Sequence, residues 1–117
     1  MRGTRQYVVW VDVPRASGWR AWNAAAGGFE SRLAEQVSPP VLDAQIESET
    51  RQGQEYVRVR VTVSVRATDV ADAVGAAWEV FRAAAGEISG WDLAAASAQV
   101  RPAGLAPVRP ERRRPRR

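Results

Sequence analysis

The sequence contains neither histidine nor cysteine, and all 17 of its basic residues are arginine. That leaves no imidazole to act as general base or metal ligand. It also leaves no thiolate, no disulfide and no amine for Schiff-base chemistry. Walker, GxGxxG and GxSxG signatures are absent too. The remaining reactive groups are carboxylates, tyrosine and arginine, and arginine serves best as a planar, permanently charged fork for phosphate or carboxylate. Catalysis, if present, would be cofactor-free; no cofactor or metal is expected and no catalytic residue is singled out.

Arginine is concentrated in two places. The end of the chain, "VRPERRRPRR", holds Arg109, Arg112, Arg113, Arg114, Arg116 and Arg117 within nine residues. Prolines keep such a segment extended, so its guanidiniums can follow a nucleic-acid backbone or an acidic protein surface. A solvated tail with no specific partner is the plainer alternative. The second place is "EYVRVRVTVSVRA", residues 55–67, where Val57, Val59, Val61, Val63 and Val65 alternate with Arg58, Arg60, Thr62, Ser64 and Arg66. This is a strand with one oily and one wet face. A carboxylate pair, Glu47 and Glu49, shares an alternation phase, but two ligands make a poor divalent-ion site.

The elements that must position these groups follow from periodicity. "QYVVWVDVP" alternates, with Tyr7, Val9, Val11 and Val13 on one face and Val8, Trp10 and Asp12 on the other, and is expected to end at Pro14. Helical spacing links Trp22, Ala26, Phe29, Leu33 and Val37, with Ser17 as cap and Pro39-Pro40 as terminator. Gly27-Gly28 predicts a kink or two short helices. "VLDAQIESET" alternates again. A two-residue turn at Gln52-Gly53 would set Ile46 against Val59, Ala44 against Val61 and Leu42 against Val63. On the outer face the same register sets Glu47 against Arg58, Gln45 against Arg60 and Glu49 against Tyr56. A second helix within residues 68–89 places Val70, Val74, Ala77, Trp78, Phe81, Ala85 and Ile88 on its apolar stripe, capped by Thr68 or Asp69 and ended by Gly86 or Gly90. "WDLAAASAQVRP" reads as a last strand despite its alanines.

The order strand, helix, strand, strand, helix, strand resembles the ferredoxin-like superfold. That resemblance implies an α+β sandwich with a four-stranded antiparallel sheet and two helices on one face. It covers roughly residues 5–101 of a domain spanning 1–101, leaving 102–117 as a tail expected to be disordered. In composition the chain is also similar to small proteins of high-GC actinobacteria and their phages or plasmids. Residues 1–100 carry ten arginines against twelve acids, a net of −2, whereas residues 101–117 carry seven against one, a net of +6. The folded part is thus mildly acidic and the tail supplies the basicity.

On this plan Val8, Trp10, Tyr56, Arg58 and Arg60 lie on the open sheet face. Three readings follow: cross-strand ion pairs that keep the face soluble, burial in a homodimer, or single-stranded nucleic-acid binding by stacking and phosphate contact. The face lacks the aromatic signature of RNA-recognition motifs. No apolar run reaches the roughly 20 residues needed to cross a bilayer, so the expected setting is cytoplasmic, without membrane contact. The expected function is that of a non-enzymatic accessory or regulatory protein, with sheet-mediated assembly and a tail that attracts nucleic acid. The alternatives are a small-molecule or cofactor-free catalytic site between Trp19, Gly27-Gly28 and the sheet, and a mobile-element protein that binds one host protein.

Overall fold

A computed structural model describes residues 3–16, 18–51, 57–86 and 90–103. Among these residues the elements are β1 (Arg5–Arg15), α1 (Gly18–Glu35), β2 (Val41–Arg51), β3 (Val57–Ala67), α2 (Val70–Ala85), a short 3-10 turn (Leu93–Ala95) and β4 (Ser97–Pro102). The sheet is antiparallel with the order β2-β3-β1-β4, the ferredoxin-like arrangement. The expected turn residues Gln52-Gly53, Tyr56, Ile88, the cap Ser17 and the six tail arginines from Arg109 to Arg117 lie outside the described residues.

The alternation in β1 and β3 decides the layering. Val9, Val11, Val13, Val57, Val59, Val61, Val63 and Val65 are fully buried beneath the helices. Burying each such side chain contributes on the order of 1.5–3 kcal/mol. Trp22, Phe29 and Leu33 of α1 and Ala77, Val80 and Phe81 of α2 complete the core. Trp22, Phe29, Phe81 and Trp91 meet mostly edge to face, with ring centres 4.9–5.7 Å apart, the arrangement that aromatic quadrupoles favour.

Several expectations are corrected. β1 does not stop at Pro14 but runs on to Arg15. Pro14 is tolerated because its carbonyl accepts from the Asp92 N–H on the β4 side. The N–H that proline lacks would point to that same side, where β4 has already ended at the Asp12–Ser97 pair. Gly27-Gly28 does not break α1, which is one helix of 18 residues; both glycines are exposed and packing on Trp22, Phe29 and Leu33 overrides their propensity. Val37 lies beyond the end of α1 and is 39% exposed. The buried stripe of α2 is rotated from the expected one, so Ala73, Val80 and Ala84 are inside and Val70 is half exposed. Asp69 caps α2 by accepting from the Asp72 N–H at 2.8 Å, and Gly86 ends it.

The β2–β3 register also differs. Ile46 pairs with Val61 and Ala44 with Val63, two residues from the expected partners, and the alternation is interrupted between Val41 and Asp43 and between Ile46 and Ser48. Two bulges therefore replace one regular ladder. The first buries Val41 and leaves Leu42 exposed. The second sets Ser48 opposite Arg60 and Glu49 opposite Val59. The last strand begins at Ser97, not Trp91, since Leu93–Ala95 winds into a 3-10 turn. Alanine's weak β-propensity accounts for the shorter strand.

Candidate interface on the open sheet face

The face away from the helices is built on β1 and β3, with β4 and β2 flanking. Trp10 stands near its centre, opposite Thr62 on β3 and Gln99 on β4. Val8 is its neighbour, opposite Ser64 and Arg101. Both Val8 and Trp10 are half-buried. The Arg101 guanidinium carbon lies 5.2 Å from the Trp10 ring centre. That contact covers part of the indole and holds a cation against its electron-rich face.

Arg58 and Arg60 are on this face, as expected from alternation. Both converge on Asp12 of β1. Arg60 donates to Asp12 Oδ2 from Nη2 at 3.1 Å and from Nε at 3.3 Å. The nearest guanidinium nitrogen of Arg58, Nη1, is 3.5 Å from Oδ1. Asp12 is only 8% exposed, so the carboxylate is withdrawn from water; Arg60 hydrogen-bonds Oδ2, while Oδ1 keeps only the longer ion pair with Arg58. The register explains why the expected Glu47–Arg58 and Gln45–Arg60 pairs do not form: the ladder starts at Arg51–Val57, three residues out of the expected phase, and the bulge takes only one of them back. It carries Glu47 to Thr62, whose hydroxyl donates to Glu47 Oε1 at 2.5 Å.

Asp12 and Arg101 are the site residues that sequence reasoning missed as contact partners. The signal for Asp12 was its register: Asp12 pairs with Arg60 directly across β1–β3. Arg101 sits two residues beyond Gln99, the β4 partner of Trp10, and hence on the same face. Among the described residues the face holds Asp12, Asp43 and Glu47 against Arg58, Arg60, Arg66 and Arg101, so it is close to neutral.

The region proposed from sequence as a ligand site, between Trp19, Gly27-Gly28 and the sheet, is filled by Trp22, Phe29 and Leu33. Trp19 is half-buried beside the Arg20 guanidinium. Among the described residues no group of three or more acidic side chains is placed to hold a metal ion. No described helix is long and apolar enough to cross a membrane.

The alternation, layering and strand order define an α+β sandwich with one sheet face uncovered by helices. No family model matches the chain, and no curated protein matches it. Among solved structures it is similar to a de novo designed protein, Foldit4, at 15% identity, covering 86% of this chain and 99% of that one with a TM-score of 0.46.

Proposed function

We propose that this protein is a non-enzymatic assembly domain whose open sheet face receives a second copy of the chain, while its arginine-rich end adds electrostatic contact with nucleic acid. The observation that carries the reading is the centre of the open face. Trp10 sits there beside Val8 and under Arg101, and the neighbouring arginines Arg58 and Arg60 share the single carboxylate of Asp12. A nucleic-acid platform carries an excess of guanidiniums for phosphate. Here, among the described residues, Asp12, Asp43 and Glu47 nearly balance the four arginines of the face, which favours a near-neutral, partly apolar protein surface over a polyanion.

Size supports a second copy. Three strands of 11 residues and one of six, spaced about 4.8 Å apart at about 3.3 Å per residue, present roughly 600 Å² per copy. That approaches the ~800 Å² per partner of a standard interface. A two-fold pairing sets a near-neutral face against itself, so like-charge repulsion is small.

Sedimentation of the full chain and of Trp10→Glu tests the assembly. The expected result is a dimer that Trp10→Glu converts to monomer; a wild-type monomer at high micromolar concentration overturns it. The tail is tested separately by salt titration of duplex DNA and RNA binding with and without residues 104–117. Binding that survives truncation unchanged removes the tail from the account. A complex with one host protein that survives nuclease treatment would instead support the mobile-element reading.

A further inference from the structure

We propose that the chain leaving β4 turns back on its own body, and that its uncharged root, residues 104–108, occupies a cavity between the first residues of β1 and the start of α2. The cavity measures about 760 Å³ and is walled by Arg5 and Tyr7 on one side and by Asp69, Val70 and Ala71 on the other. Such a volume falls within the ~300–1,000 Å³ that encloses a drug-sized molecule, and so admits a few residues of chain.

The occupant is marked by where the chain leaves the sheet. The Ala103 N–H donates to the Gln6 carbonyl at 2.8 Å, and Gln6 stands between Arg5 and Tyr7, two of the cavity's walls. Pro102 is paired with Tyr7 itself. An extended chain advances about 3.3 Å per residue, so Leu105 lies within about 7 Å of Ala103. Fourteen residues follow Ala103, enough to enter the cavity and still carry the arginines beyond it.

The walls suit this segment. Val70 is 49% exposed, a large apolar group left uncovered in the first turn of α2. Leu105 is the first large apolar residue after Ala103, and laying it on Val70 withdraws both from water. Tyr7 is 5% exposed, yet its hydroxyl makes no hydrogen bond among the described residues. A buried tyrosine hydroxyl ordinarily finds a partner, and a backbone carbonyl of the root can accept from it.

Charge selects which part of the end docks. Arg5 and Asp69 line the cavity and offset each other. Asp69 accepts from the Asp72 N–H as the helix cap, and Asp72 in turn accepts from the Thr68 N–H and hydroxyl. With these carboxylates engaged and the positive end of the α2 dipole at the wall, the cavity does not draw in guanidiniums. It fits residues 104–108, which carry no charge, and leaves Arg109 and the later arginines outside. The docking fixes where the basic end departs from the body, whether or not those arginines bind nucleic acid.

The sequence has no cysteine, so a nitroxide on Arg109→Cys labels the full chain at one site. The expected result is amide broadening strongest at Arg5, Val70 and Ala71. Adding Leu105→Ser, which keeps the tether and removes the anchor, should abolish the broadening at Val70 and Ala71 and retain it beside Ala103. Val70→Ser, at a half-exposed helix position, should release the root in the same way. Without the label, Leu105→Ser should shift the Val70 and Ala71 amides and leave those of Trp10 and Thr62 in place. Broadening at Val70 that Leu105→Ser leaves unchanged overturns the proposal. So does broadening passed from a labelled chain to an unlabelled one in a mixture, which would make the occupant a second copy. Shifts at Val70 caused by Arg2→Ser but not by Leu105→Ser would give the cavity to the residues before β1 and overturn it as well.

Discussion

The Arg15 guanidinium carbon lies 4.6 Å from the Trp91 ring centre, and the backbones of the same two residues form an antiparallel bridge beyond the end of β4. Trp22 is a second ring neighbour, its centre 5.5 Å from the same carbon and 5.6 Å from the centre of Trp91. A residue that is 2% exposed is thus a cation packed against a pair of touching indoles, with the backbone bonds from Ala16 N to Gly90 O and from Asp92 N to Pro14 O fastening the segment.

Truncating this side chain should be costly. Arg15→Ala removes the stem packing and both cation–ring contacts and is expected to lower stability by about 2–4 kcal/mol in urea unfolding. Arg15→Met keeps the packing and removes the buried charge, so it should stay within about 1 kcal/mol of wild type. Burial lowers the Arg15 pKa from its ordinary value by desolvation. The unfolded chain therefore holds that proton more tightly, and the burial cost is fully present below the lowered pKa and relieved only as pH rises through it. The stability difference between Arg15→Met and wild type should accordingly be flat from about pH 5 to 9. A slope in that window would contradict the assignment.

Asp12 is the hinge of the open face's electrostatics. Asp12→Asn should cost about 1–2 kcal/mol, a value kept modest because both arginine side chains remain about two-fifths exposed and can rehydrate. Single Arg58→Ala or Arg60→Ala changes should cost less, since the other guanidinium stays. Chemical denaturation of the three variants checks the order.

Glycine substitutions should split by backbone geometry. Gly27→Ala, at an exposed helical position with nothing within 4 Å of the new Cβ, should stabilise by about 1 kcal/mol. Gly86→Ala should destabilise by about 1–2 kcal/mol, because Gly86 has φ +52° and its Cβ would come within 3.3 Å of Arg32 Nε. Thermal melts of the two variants should move in opposite directions.

The Trp10–Arg101 stack predicts a measurable coupling. A double-mutant cycle of Trp10→Ala and Arg101→Ala should return about 0.5–1 kcal/mol of interaction energy, typical of an exposed cation–ring contact. A value near zero would mean that the two side chains contribute independently.

What the sequence made legible was periodic. The Tyr7–Val13 and Val57–Val65 alternations and the order of elements along the chain follow from local pattern, with Asp69 one of two cap candidates, and the alternations set which face holds Trp10, Arg58 and Arg60. What escaped was non-periodic or long-range. The β2–β3 ladder starts at Arg51–Val57 and not at the expected two-residue turn, and bulges add residues without a composition signal, so Ile46 pairs with Val61 and Glu47 meets Thr62. Arg15 continues the inward phase of Val9, Val11 and Val13, but its charge and the proline before it argued for a strand end. Gly27-Gly28 looked like a break because propensity is local, whereas the burial of Trp22 and Phe29 is tertiary.

The two irregularities in β2 have a wider consequence. An outer strand of eleven residues with a smooth row of free amides and carbonyls would invite further chains to add sideways without limit. Offset twice along its length, β2 is a poor template for such growth, and the opposite border of the sheet, β4, is only six residues long. Lateral polymerisation is discouraged at both margins, so that pairing through the broad surface, as proposed above, would close on itself and stay finite.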